Sequence, residues 1–153
     1  MLNKAVVGRW YTRLWGNPCD ISIVDEIATP DVLLQYSEEN PRQGPQAIKE
    51  FMAEFREAFP DFEFRRIGSL IADRDIVVAR WEGSGLHTGP AYADFHIGPL
   101  PAASGRHVVI AGHSAVRLVD GKIAEEAVWP SARKAKLRPI TGGLALGLVT
   151  PVA

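Results

Sequence analysis

Asp120-Gly121 lies between two runs of strand-forming residues, 113–119 and 122–129, and an Asp-Gly pair flanked in this way specifies a two-residue hairpin turn. Such a turn fixes the pairing on either side of it. With Val119 opposite Lys122, Leu118 faces Ile123, Val116 faces Glu125, Ser114 faces Ala127, Gly112 faces Trp129 and Ile110 faces Ser131, all on one side of the pleat. That side is apolar except for Ser114, Glu125, Trp129 and Ser131. The pattern fits the wall of a small-molecule cavity, and it equally fits a core with a polar fringe.

Upstream, the hydrophobic period is helical before it becomes strand-like. Val7, Trp10, Tyr11, Leu14 and Trp15 recur at helical spacing after Asn3, and Gly16-Asn17-Pro18 ends the run. Asp20 caps a short segment carrying Ile23, Val24 and Ile27, and residues 32–36 follow as a strand. Gly44-Pro45 opens the clearest helix, whose stripe of Ile48, Phe51, Met52, Phe55 and Phe59 runs until Pro60. Strands are then expected over 62–71, 76–87, 108–119 and 122–129, with a long loop over 88–105. Helices followed by antiparallel strands imply an α+β domain whose helices pack on one face of a curved sheet.

The chain has 153 residues and 46% hydrophobic side chains, which suits one domain with a real core. Residues 132–153 read as a C-terminal extension, a basic surface turn followed by an apolar arm. Seventeen basic and eighteen acidic residues leave a net charge of −1, so no global field draws nucleic acid or an anionic membrane. Cys19 is alone, which excludes an intrachain disulfide and fits a reducing cytoplasm. No secretory signal or membrane span is evident. Phosphate-loop and nucleophile-elbow motifs are missing, and the four histidines lack metal-ligand spacing, so neither a cofactor nor a metal is expected.

Several short motifs occur together. Tyr11 with Trp15, Thr29-Pro-Asp31, Gly44-Pro45 with Ile48-Lys-Glu-Phe51, Ala58-Phe-Pro-Asp61, Val77-Val-Ala-Arg-Trp81, His87-Thr-Gly-Pro90 and Asp120-Gly-Lys-Ile123 with Glu125-Glu126 appear in the order seen in SnoaL-like polyketide cyclases. Over residues 6–129 the chain resembles that family, part of the nuclear-transport-factor-2-like superfamily. The resemblance implies a cone-shaped antiparallel sheet with N-terminal helices on its concave face. It also implies proton transfer on a polyketide-derived or similar cyclic metabolite by an aspartate and a histidine. Those two would fall on Ser131 and Ser114, and a first-strand histidine of relatives would fall on Gln35. A serine hydroxyl is no base near neutral pH.

The remaining candidates each have two readings. Glu125, if it faces the apolar side, is a possible general base; otherwise it is a rim carboxylate paired with an arginine, which is the favoured reading. His87, on the Trp81 side of its strand, is either a cavity-mouth acid/base or a loop anchor. His113 falls on the outer face and is set aside. Asp94 and His96 belong to the 88–105 loop, which is a lid, a binding loop or a disordered connection. The expected pocket is lined by Tyr11, Trp15, Gln35, Tyr36, Trp81, Ser114, Trp129 and Ser131.

The leading expectation is a cofactor-free, metal-free enzyme of cyclase, isomerase, lyase or hydrolase type acting on a hydrophobic oxygenated metabolite. The alternative is a non-catalytic binding or carrier protein using the same pocket. A homodimer is expected through the outer sheet face bearing His113, Arg117 and Glu126.

Overall fold

The computed structural model describes residues 2–36, 40–94 and 97–138, with side chains described for 2–36, 40–93 and 97–129. The elements are α1 (Leu2–Arg9), which runs into a π-helical turn at Trp10–Leu14, α2 (Ile23–Ile27), β1 (Ala28–Gln35), β2 (Arg42–Gln43), α3 (Pro45–Ala58), β3 (Glu63–Asp73), β4 (Ile76–Leu86), β5 (Tyr92–Asp94), β6 (Gly98–Leu100), β7 (His107–Val119) and β8 (Lys122–Arg138). Six strands form one curved sheet in the order β2-β1-β8-β7-β4-β3, and β5 and β6 form a separate hairpin. The expected α+β architecture is therefore present. One correction concerns the sheet, which is mixed: β1 runs parallel to β8. The chain between them is long enough to make the crossover that a parallel pair requires.

The turn at Asp120-Gly121 forms as its sequence dictates. Both residues have positive φ, 51° and 79°, the conformation a tight hairpin requires and glycine adopts without strain. Gly44, at φ 90°, admits the chain to α3, and Pro45 occupies the first helical turn, where its missing N–H is not needed. The stripe Ile48, Phe51, Met52, Phe55 and Phe59 is buried. Each such side chain contributes about 1.5–3 kcal/mol relative to exposure.

The core has two parts. Under α1 and α2 it holds Val7, Trp10, Leu14, Ile23 and Val24 packed on Val77, Val116, Leu118 and Ile123. Around the end of α3, Phe55, Phe59 and Phe62 pack with Trp81, Val108 and Ile110, and Ile97 and Leu100 close over them. The 88–105 segment is thus partly ordered by its own hairpin. Its start is fastened to α3, where Thr88 N and Gly89 N donate to Ala58 O at 3.2 and 3.1 Å. On β4, Gly83 and Gly85 leave room for aromatic rings, since a Cβ on either would lie within 2.7 Å of Phe62.

Residues 133–138, expected as a surface turn, instead continue β8, with Leu137 opposite Val108 and Ala135 opposite Ile110. Alternation of Ala135 and Leu137 with basic residues is compatible with a strand. The apolar arm after residue 138 lies outside the described residues, as do the side chains of Asp94, His96 and Ser131.

Candidate functional site

The register starts as the turn predicts, with Val119 opposite Lys122 and Leu118 opposite Ile123, and then slips: Arg117 faces Glu125 and Val116 faces Glu126. Ala124 is the extra residue, and Ile123 and Ala124 are consecutively buried. A β-bulge inserts one unpaired residue, and every later side chain changes face. Glu125 consequently points outward, 3.5 Å from Arg117, so it is the rim carboxylate and not an inward base. Trp129 is also moved off the pocket; it is 50% exposed and stacks on the exposed His113. Glu126, expected on the outer face, is instead 2% exposed on the helix-facing side.

Glu126 is the one carboxylate buried among the described residues, and three donors meet it. Trp10 Nε1 and Trp15 Nε1 donate to Oε1 at 2.8 and 3.1 Å, and Tyr11 Oη donates to Oε2 at 2.8 Å. The π turn makes this convergence possible. On a regular α-helix two residues five apart are turned about 140° from each other, whereas here Trp15 N closes back on Trp10 O at 3.3 Å. The widened turn brings both indoles over the same carboxylate, consistent with the frequent placement of π turns at functional sites.

A second buried donor pair completes the polar groups of the site. Trp81 Nε1 donates to Ser114 Oγ at 3.0 Å, and Ser114 works against the rise of the Tyr11 phenol. One donor pair thus runs from Trp81 to Ser114 and another from Tyr11 to Glu126. Burial first, and then the Glu126 charge, push the Tyr11 phenol well above its ordinary value. Tyr11 is therefore a neutral donor at any ordinary pH. A carboxylate has about four acceptor positions; two donors fill Oε1 and one fills half of Oε2, which leaves one acceptor position on Oε2.

A cavity of about 20 Å³, room for one water, adjoins Glu126 between Tyr11, Trp15, Tyr36, Phe64, Trp81 and Val128. A larger cleft of about 580 Å³, lined from α1 and strands β3 and β4, shares Tyr11, Phe64 and Trp81 with it. That volume is in the range of small-molecule sites. Trp15 and Trp81 both meet Phe64 edge-on, with centroids 5.0 and 5.6 Å apart, which gives the walls a fixed aromatic lattice.

Among the expected pocket residues, Tyr11, Trp15, Tyr36 and Trp81 line these spaces. Ser114 is buried and accepts from the Trp81 indole. Gln35 does not reach the pocket. Leu34 pairs with Glu126 and Gln35 with Ala127, so alternation sends Gln35 to the opposite face from the carboxylate. His87 is a loop anchor: its Nδ1 lies 2.7 Å from Ser104 Oγ and its Nε2 2.7 Å from Pro90 O. Both ring nitrogens are occupied, so it has no free position for acid/base work. Trp10 and Glu126 were missed by the sequence reading. The available signal was three ring donors, Trp10, Tyr11 and Trp15, on one apolar helix, because a buried indole or phenol needs an acceptor.

The family model described as SnoaL-like polyketide cyclase matches residues 5–132. No curated protein matches the chain. Among solved structures, a protein from Jannaschia sp. CCS1 provisionally named a SnoaL-like polyketide cyclase is similar, with TM-score 0.70, 22% identity and 85% of each chain covered. The epoxide hydrolase/cyclase-like enzyme SalBIII, of pyran ring formation in polyether salinomycin, has TM-score 0.66 and 17% identity, covering 87% of this chain and 93% of its own. TerC, co-crystallised with polyporic acid, has TM-score 0.63 and 16% identity, covering 86% and 92%. With a family model matched from the first helix through the bulged strand that carries Glu126, the chain belongs to the SnoaL-like polyketide cyclases.

Proposed function

We propose that the protein is a small-molecule enzyme that moves a proton on a hydrophobic oxygenated ligand held in the α1–β3–β4 cleft. Glu126 is the proton acceptor and Tyr11 the relay. The carrying observation is the buried Glu126 carboxylate, joined to the cleft by the hydrogen bond that the cleft-lining Tyr11 hydroxyl donates to Oε2. As a ligand C–H or O–H proton passes to Tyr11 Oη, the Tyr11 proton passes to Glu126 Oε2, and reversal of both transfers returns a proton to the product. Three donors already engage the Glu126 carboxylate. The chemistry therefore suits a proton already acidified by a neighbouring carbonyl, the kind found in polyketide-like molecules. Membership of a family of cyclases and the likeness to SalBIII support this reading.

The test is deuterium incorporation from D2O at the C1 methylene of 2-tetralone, followed by NMR. Acceleration over background is expected, with loss in both Glu126→Gln and Tyr11→Phe. Exchange at the background rate in the wild type, despite measurable binding, would favour a carrier that uses the same cleft. The favouring feature for that second reading is the narrow inner cavity, which admits a water and not a ring.

The same proposal includes a homodimer through the outer face. Glu126 is not part of that face; His113, Arg117, Glu125 and the half-exposed Trp129 are. Sedimentation should give a dimer mass, and Trp129→Glu should give a monomer; a wild-type mass that stays monomeric with concentration excludes it.

A further inference from the structure

The cleft has a second pole. On β3 Arg66 sits opposite Trp81, and directly opposed residues share a face of the sheet. Trp81 is buried on the helix-facing side, so Arg66 is on that same side, exposed to solvent where it lines the cleft. The neighbouring Arg65 faces outward and pairs with Glu82. Arg66 is different: among the described residues it has no hydrogen bond and no ion pair, and it lines the cleft with Arg9 across from it.

Among the described residues the cleft lining carries these two arginines and no Asp or Glu, in a chain whose net charge is −1. Arg9 is already engaged by Glu26. Arg66 keeps its fork of donors unfilled at the edge of an aromatic slot made by Tyr11, Phe64 and Trp81. An arginine fork matches a carboxylate in geometry and charge. At the opposite end Glu126 is an acceptor, closed in by its own donors.

We propose that Arg66 selects ligands that carry a carboxylate at the end of a planar ring system, and that it orients them with the acidic group at the mouth and the reacting end toward Tyr11. This rests on the cleft being the ligand site and adds the class of ligand and its direction. Small residues give the ring its room: Ala5 and Gly8 line the α1 side, and a Cβ placed at Gly8 meets nothing within 4 Å.

The experiment compares 2-naphthoate with its methyl ester, by quenching of tryptophan fluorescence at low salt. Wild type should bind the acid about tenfold more tightly than the ester, the scale of one charge-assisted pair, and the difference should shrink as salt is raised. Arg66→Gln should abolish the preference while leaving ester binding unchanged, and Arg66→Lys should retain part of it. Arg65→Gln, the same charge change on the outer face, should leave the preference intact. Equal binding of acid and ester by wild type, or a preference that survives Arg66→Gln, overturns the assignment of Arg66 while leaving the cleft as a site. Loss of preference in Arg65→Gln as well reduces it to a general charge effect and overturns it too. Failure of both probes to bind sinks the cleft reading together with it.

Discussion

Replacing Glu126 by Leu removes one acceptor from three donors at once. Trp10 and Glu126 are almost completely buried, so water reaches neither without rearrangement. A buried donor left unpaired costs about 1–3 kcal/mol. Trp10 Nε1, Trp15 Nε1 and Tyr11 Oη together then give a loss of about 3–9 kcal/mol, a large part of the 5–15 kcal/mol that holds a typical domain folded. The lower end applies if a water enters the vacated space. Glu126→Gln keeps a carbonyl for the two indoles and loses the charge, and its amide must face a reversed Tyr11 hydroxyl, for a cost of about 1–2 kcal/mol. Denaturant unfolding followed by tryptophan fluorescence separates the two. The order should be wild type, then Gln, then Leu, with the Leu variant melting at least about 6 °C lower. A Leu variant within about 1 kcal/mol of wild type would refute the three-donor clamp.

Tyr11 makes stability depend on alkaline pH. Its phenol lies above the ordinary value of 10.0 when folded, so folding binds the proton; the stabilisation is whole below pH 10 and is lost as pH rises from there toward the folded value. Unfolding curves above pH 10 should therefore fall more steeply for wild type than for Tyr11→Phe, and parallel curves would contradict the assignment. His87→Ala should make the 88–105 segment more sensitive to protease while 2-tetralone exchange persists, because both imidazole nitrogens serve that segment; a fall in exchange matching Glu126→Gln would place His87 in the chemistry. Gly85→Ala puts a methyl 2.7 Å from Phe62 Cα, and a loss of about 1–3 kcal/mol is expected from overpacking; unchanged stability would show that β3 and β4 separate freely.

Legibility from sequence followed the range of the interaction concerned. The hairpin turn and α3 depend on residues next to one another, and Asp120-Gly121 and Gly44-Pro45 carried them fully. The aromatic half of the site, Tyr11, Trp15, Tyr36 and Trp81, was readable because large apolar rings with polar edges belong on cavity walls. The carboxylate was not, since Glu125 and Glu126 are adjacent and only the bulge at Ala124 decides which faces inward. That bulge depends on packing across strands, and strict alternation counted from the turn had no means to include it. Gln35 failed for a related reason: its facing is set by a parallel pairing with β8 that is remote in sequence.

The clamp around Glu126 joins two elements that each hold one residue more than regular geometry allows, the helix at its π turn and the strand at Ala124. Either irregularity alone would leave indoles without an acceptor or an acceptor without indoles. A one-residue deletion in either element should thus be worse than the matching deletions made together elsewhere. The same pairing governs comparison between relatives. When functional positions are transferred by counting from a shared motif, the count stays true only up to the first place where facing segments differ in length, and in this chain that place is three residues past the Asp-Gly turn.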